Sequence, residues 1–299
     1  MFVLAHLSDP HLAPLPAPRA AELLGKRALG FLNWQRKRSA IHRADILDAI
    51  VRDLHAQKFD HLAVTGDLIN IALAAEFKPA RAWLEHLGAP DNVTLVPGNH
   101  DLYMQETAEQ AQREWGAYMR GDELESFPFV RRRGNVALIG LSSALPTLPF
   151  MATGQLGENQ LARLEPLLAA LGREGSFRVV LIHHPLTSKP SHYFKRLTDS
   201  DALCAVLRKH GAELLIHGHD HTRSLLWLEG PNARIPALGV PSASSNPAGT
   251  DEPAGYSLFE IDGAPGAWSC MAIARGFSRG GVITELSREP LYARPQSTV

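Results

Sequence analysis

Five times in its first 221 residues the chain runs through a short apolar stretch and then stops at aspartate, asparagine or histidine. Residues 2–7 lead to Ser8-Asp9-Pro10-His11, and 61–65 lead to Gly66-Asp67. Residues 93–96 lead to Pro97-Gly98-Asn99-His100-Asp101, 178–182 to His183-His184-Pro185, and 214–216 to His217-Gly218-His219-Asp220-His221. Each stretch has the length of a buried strand, and Gly or Pro marks its end. In an open α/β sheet such strand ends converge on one crevice, where ligands bind. Burying aspartate or histidine without a partner is costly, on the order of several kcal/mol for a charge. A metal centre removes that cost, and core packing does not explain five such ends in a row.

The segments between these strands carry helical periodicity over 41–58, 74–87, 107–119, 157–171 and 201–209. Residues 127–132 and 135–141 read as paired strands around Arg133-Gly134. After His221 the chain reads as all-β, with strands at 224–228, 235–240, 256–261, 268–274 and 282–286, and a small-residue loop over 242–255. Alternating strands and helices early, and strands late, predict an α/β fold. Two facing sheets with helices outside would form one domain over 1–299, with 12–40 an insert or lid and 222–299 its β-rich end.

Composition narrows the options. An apolar fraction of 45% can fill a sizeable core, and a net charge of −1 gives no overall attraction to nucleic acid or to an anionic membrane. Cys204 and Cys270 lie far apart and form no disulfide framework. No apolar run approaches the roughly 18–20 residues of a spanning helix. No basic region precedes the first strand, as a signal peptide would require. A cytoplasmic protein is expected. The membrane-related feature is 26–38, where Leu29, Phe31, Leu32 and Trp34 sit among Lys26, Arg27, Arg36, Lys37 and Arg38. That composition suits an interfacial helix at the inner face of a membrane or a lid over an anionic substrate, and equally a surface helix packed on the domain. The run Arg131-Arg132-Arg133 reads as a solvated hairpin edge, with substrate contact as the alternative.

The strand ends supply seven candidate ligands: Asp9, His11, Asp67, Asn99, His183, His219 and His221. One tetrahedral structural zinc takes four ligands, usually with cysteine. Two ions sharing a bridging aspartate account for all seven. Nitrogen and oxygen donors without thiolate suit Mn, Fe, Zn or Co.

As an ordered set, Asp9-Pro10-His11, Gly66-Asp67, Gly98-Asn99-His100-Asp101, His183-His184 and Gly218-His219-Asp220-His221 resemble the motifs of the calcineurin-like metallophosphoesterases, over about residues 2–221. The resemblance implies a four-layer α/β/β/α sandwich with two metal ions at the strand ends. It implies that Asp9, His11 and His221 hold the first ion, that Asn99, His183 and His219 hold the second, and that Asp67 bridges them. His100 matches the family's catalytic histidine. The implied activity is phosphoester hydrolysis, most simply of a phosphodiester, through a hydroxide bridging the two ions. Asp101 and His184 are candidates for fixing ring orientation, with a loop cap the other reading of Asp101; His6 and His217 read as strand residues. The substrate stays open between small and lipid-linked phosphodiesters. A lipid-precursor pyrophosphatase of the UDP-diacylglucosamine type, a nuclease, a protein phosphatase and a non-enzymatic metal-stabilised binding protein are the alternatives. The charge balance argues against a long nucleic-acid track.

Overall fold

The central strands are apolar on both faces, so both faces need cover. A computed structural model shows how they obtain it; it describes residues 1–23, 25–186, 190–249, 252–278 and 280–292. The N-terminal part supplies β1 (Phe2–Leu7), α1 (Lys26–Asn33), α2 (Ser39–Ile41), α3 (Ala44–Ala56), β2 (His61–Val64), α4 (Ala74–Leu87), β3 (Val93–Leu95) and α5 (Thr107–Trp115). There follow β4 (Phe129–Arg133), β5 (Val136–Gly140), α6 (Glu158–Arg173), β6 (Phe177–Leu181), α7 (Ser200–His210) and β7 (Leu214–His217). The remainder is β8 (Ser224–Leu228), β9 (Ile235–Gly239), β10 (Gly255–Asp262), β11 (Ser269–Phe277) and β12 (Ile283–Tyr292).

Two six-stranded sheets result, in the orders β12-β11-β10-β1-β2-β3 and β4-β5-β6-β7-β9-β8. Strands β1, β2 and β3 are parallel, as are β5, β6, β7 and β9. Side chains alternate across each strand. In β1, Leu4 joins the core between the sheets while Ala5 and Leu7 face α3 and α4. In β6, Phe177, Val179 and Leu181 point between the sheets while Val180 faces α6 and α7. The layers are therefore helix, sheet, sheet, helix, the expected α/β/β/α sandwich.

Two readings need correction, and the β-rich end divides between the sheets: β8 and β9 extend the second, whereas β10 returns to pair antiparallel with β1 and brings β11 and β12 to the first. Its last strand is also longer than 282–286. The 131–133 run is not uniformly a solvated edge, because Arg131 is buried. It donates to the carbonyls of Arg120 at 2.7 Å, Ala117 at 2.8 Å, Val93 at 2.8 Å and Pro90. Arg132 and Arg133 do reach outward, to Glu174 and Asp122. Part of the loop read at 188–200 (Ser188 and Lys189) and part of 242–255 (Thr250 and Asp251) lie outside the described residues. No helix among the described residues is long and apolar enough to cross a membrane.

Candidate metal centre

Parallel pairing sets Leu7, Val64 and Leu95 level in the first sheet, and Leu181 level with Ile216 in the second. The residues just beyond them all leave the sheets at one edge. Backbone bonds then stitch neighbouring strand ends together. Asp9 N–H donates to Gly66 O at 3.0 Å, His11 N–H to Asp67 O at 3.1 Å, and Gly218 N–H to His183 O at 3.1 Å. A Cβ at Gly218 would collide with Ser8 Oγ and Asp9 Oδ2, so only glycine lets the β7 loop close on the β1 loop.

All seven candidate ligands meet there. His11 Nε2 lies 3.3 Å from His221 Nε2, and His221 Nε2 lies 3.2 Å from Asp9 Oδ1. On the other side His183 Nε2 lies 3.2 Å from Asn99 Oδ1 and 3.2 Å from His219 Nδ1. Asp67 Oδ2 stands between the two groups, 3.7 Å from His11 Nε2 and 3.5 Å from His183 Nε2. Asp9, His11, Asp67, Asn99, His183 and His219 are buried.

The donor chemistry fits metal ions. Facing imidazole nitrogens need a proton or a cation between them. Among the described residues His219 Nε2 is buried without a hydrogen-bond partner, an expense that coordination would remove. Burial holds His11 and His219 well below the usual imidazole range; Arg38 and His42 add to this at His11, His184 and His183 at His219. Burial also opposes charge on His183, but Asp67 outweighs it and carries that ring up to about 10. The aspartates thus hold a proton where a metal would compete for the same nitrogen.

His100 N–H donates to Asp67 Oδ1 at 2.8 Å, and His100 Nδ1 meets the carbonyl of Asn70. With Nδ1 so used, Nε2 faces the cavity. Burial and Arg38 lower the imidazole to about 3. Asp101 does not orient a ring. It clamps loops, accepting N–H donors from Asp67, Leu68 and Gly98 at 2.8 Å and from Ile69 at 3.3 Å. His184 occupies its ring nitrogens with Ser143 Oγ at 2.8 Å and Ala152 O at 3.1 Å, and packs on His219 at 4.4 Å. His6 and His217 lie in strands, as expected.

Two residues of the site escape a reading from motifs. Arg38 reaches in from the 26–41 segment, its Nη1 2.7 Å from His100 Nε2 and its Nη2 2.8 Å from His11 Nε2. His42 forms a third imidazole beside His11 and His221 and is tied to Ser244 Oγ at 2.9 Å. Trp34, expected on an interfacial face, is buried instead and stacks on His42 at 6.4 Å between centroids. A π turn over Trp34–Arg38 separates α1 from α2. It shifts the helical register, which is how a run that looks like surface charge turns one arginine inward. Arg38, His42, His100, Asn99, His219 and His221 line a cavity of about 390 Å³, together with Ala152 and Lys195.

Residues 2–223 match the family model described as calcineurin-like phosphoesterase. Among solved structures, a dimetal phosphatase from Danio rerio aligns with a TM-score of 0.66 at 13% identity, over 97% of this chain and 98% of that one. A purple acid phosphatase from yellow lupin (Lupinus luteus) seeds aligns with a TM-score of 0.59 at 14% identity, over 95% of this chain and 52% of the plant enzyme. At these identities the likeness is one of fold. No curated protein sequence matches the chain. The family model covers most of the sequence, including every strand end that builds this cluster of imidazoles and carboxylates, and the chain belongs to the calcineurin-like phosphoesterases, a family of metal-dependent phosphoester hydrolases.

Proposed function

We propose that the chain is a phosphodiesterase with a two-ion site. Asp9, His11 and His221 hold one ion, Asn99, His183 and His219 hold the other, and Asp67 is shared. The observation that carries this reading is the position of Asp67 Oδ2 between two donor groups, 3.7 Å from one and 3.5 Å from the other. Mn, Fe, Zn and Co all suit these donors. Such ions, when bound, neutralise phosphoryl oxygens and make water nucleophilic at neutral pH.

The chain's own groups do the rest. Arg38 offers two N–H edges to a non-bridging phosphoryl oxygen, and such charge-assisted pairs are the strong ones. Its present contacts with His100 and His11 place it where that oxygen would enter. The Asn70 carbonyl fixes the His100 ring through Nδ1–H. Nε2, which accepts from Arg38 Nη1, takes up the proton released by the attacking water once the phosphoryl charge draws Arg38 away, and passes it to the departing ester oxygen. Hydrolysis splits one P–O ester bond and yields a phosphomonoester and an alcohol. A diester leaves one negative charge on phosphorus, which a single arginine can match.

The direct test is hydrolysis of bis(p-nitrophenyl) phosphate with added Mn, beside p-nitrophenyl phosphate, 3′,5′-cyclic AMP and glycerophosphodiesters. Turnover of diesters above monoester supports the reading. A preference for the monoester would assign the site to a phosphomonoesterase instead.

A further inference from the structure

Around the mouth of the cavity stand three apolar projections on three separate segments. Helix α1 exposes Leu29 and Leu32; the turn before Ala152 exposes Leu148 and Phe150; and the short 3-10 helix Pro190–Lys195 exposes Tyr193 and Phe194. Scattered single leucines on a surface need no explanation. These are grouped, and the grouping follows from contacts. Lys26 Nζ donates to Thr147 Oγ1 at 2.8 Å, joining α1 to the turn, and Ala152 N–H donates to Phe194 O at 2.8 Å, joining the turn to the 3-10 helix. All three segments border the same opening through Asn33, Arg38, Ala152 and Lys195.

The middle projection is a built turn. Met151 N–H donates to Leu148 O at 3.1 Å, and Thr147 Oγ1 donates to Met151 O at 2.6 Å. Phe150 takes φ 65°, a left-handed backbone that is unfavourable for a bulky residue. The result presents its ring to solvent, with Phe150 86% and Leu148 71% exposed. Cations accompany the apolar tips: Arg36 and Lys37 are exposed on the π turn, and Lys195 is exposed at the end of the 3-10 helix. The whole chain carries a net charge of −1, so these three cations are a local feature of the side of the opening that bears the apolar tips; Asp220 and Glu252 also line the opening.

We propose that this rim docks the enzyme on an anionic lipid bilayer, so that the site takes a phosphoester headgroup from the membrane surface. The assignment of substrate class rests on the phosphoesterase reading above. Separate apolar tips around an opening suit a fluid interface, which conforms to them, better than a rigid partner surface. Apolar side chains beside Lys and Arg are the combination that holds peripheral helices in the headgroup layer. Each such cation adds about fivefold to partitioning onto an anionic leaflet. Arg38 and the imidazoles of His100, His219 and His221 line the opening that the three segments border.

Co-sedimentation of the full chain with vesicles of phosphatidylcholine and phosphatidylglycerol in equal parts, beside pure phosphatidylcholine, tests this. Wild type is expected to pellet on the order of a hundredfold more strongly with the anionic vesicles, the product of three such cations. Leu148→Ser/Phe150→Ser is expected to lose about tenfold of that binding. Arg36→Ser/Lys37→Ser is expected to lower the preference for anionic lipid on the order of 25-fold, leaving the share of Lys195. Both variants should hydrolyse bis(p-nitrophenyl) phosphate at the wild-type rate. Wild type left in the supernatant, variants that pellet like wild type, or equal pelleting with both vesicle types would overturn the proposal. So would a wild-type dimer in analytical ultracentrifugation that L148S/F150S converts to monomer, since a second copy would then cover the rim. Diester hydrolysis is scored apart: vesicle binding without any turnover supports the interface and removes the phosphoesterase reading.

Discussion

Five of the seven candidate ligands have left-handed backbone: Asp9 at φ 52°, His11 at 38°, Asp67 at 56°, His219 at 71° and His221 at 54°. Each costs roughly 1–3 kcal/mol outside glycine and persists only where the surroundings over-determine it. Asp101 clamps the Asp67 loop through four N–H groups, Glu76 holds the residues that follow it, and the Asp9, His11 and His219 N–H groups donate to Gly66 O, Asp67 O and Asp9 Oδ2. His100 is the test of chemistry at this scale. His100→Ala should retain metal by elemental analysis while kcat falls on the order of 10²–10⁴-fold; an unchanged kcat would remove His100 from the reaction. Arg38→Ala should also keep its metal, and should lower kcat/KM for diesters about 10–100-fold, the worth of hydrogen bonds to a charged group. Normal turnover in Arg38→Ala would mean that the guanidinium does not meet substrate. The ligand candidates could be read from sequence because each directly follows an apolar strand. Arg38 could not, because it enters from an insert whose composition reads as surface helix and whose π turn leaves no mark in periodicity, and His42 could not, because it sits at the head of a segment that reads as an ordinary amphipathic helix.

Elements are held in place by buried polar ties that the hydrophobic pattern does not reveal. Arg131 of β4 is one: its four carbonyl partners lie before and within β3 and after α5, so it fastens an edge strand of one sheet to an edge strand of the other. Arg131→Met should therefore destabilise the fold by about 3 kcal/mol in urea unfolding, because several buried acceptors lose their donor at once. A change within experimental error would show that water takes over those carbonyls. A second tie joins α3 to β10 and β11. Asp53 Oδ2 accepts from Arg275 Nε at 2.9 Å and from the Tyr256 hydroxyl at 2.5 Å. Burial alone would raise the Asp53 carboxyl, but the hydrogen bonds from Arg275 and Tyr256 hold it below its usual value. A depressed carboxylate stabilises the native state above its unfolded pKa, about 3.9, and that contribution disappears as pH falls through the folded value. Wild type should exceed Asp53→Ala by about 1 kcal/mol near neutrality, after solvent screening. The gap should close on acidification, and a gap that persists at the lowest accessible pH would assign it to packing.

At the scale of the molecule, the two-sheet architecture was legible because strands buried on both faces demand two covering layers. The path of the C-terminal strands was not, since alternation records which face is buried but not which sheet a strand joins. The return of β10 to β1 has a consequence for stability. Ser242, in the connection that leads back, donates from Oγ to Asp9 O at 2.6 Å, so the first sheet, the second sheet and the candidate ligands are mechanically one network. Ions at the strand ends would then report on global stability. Binding to the native state alone contributes about 4 kcal/mol at a thousandfold excess over Kd. In a chain of this size that corresponds to a rise in Tm on the order of 10 °C. Exhaustive chelation should lower Tm by that order, and Mn should restore it. Asp67→Asn, which weakens the residue shared by both donor groups, should be nearly indifferent to either treatment while remaining folded at room temperature. If chelation leaves the wild-type Tm unchanged in a protein shown to contain metal, the clustered imidazoles and carboxylates are held together by packing and hydrogen bonds alone, and the two-ion reading of the site fails with them.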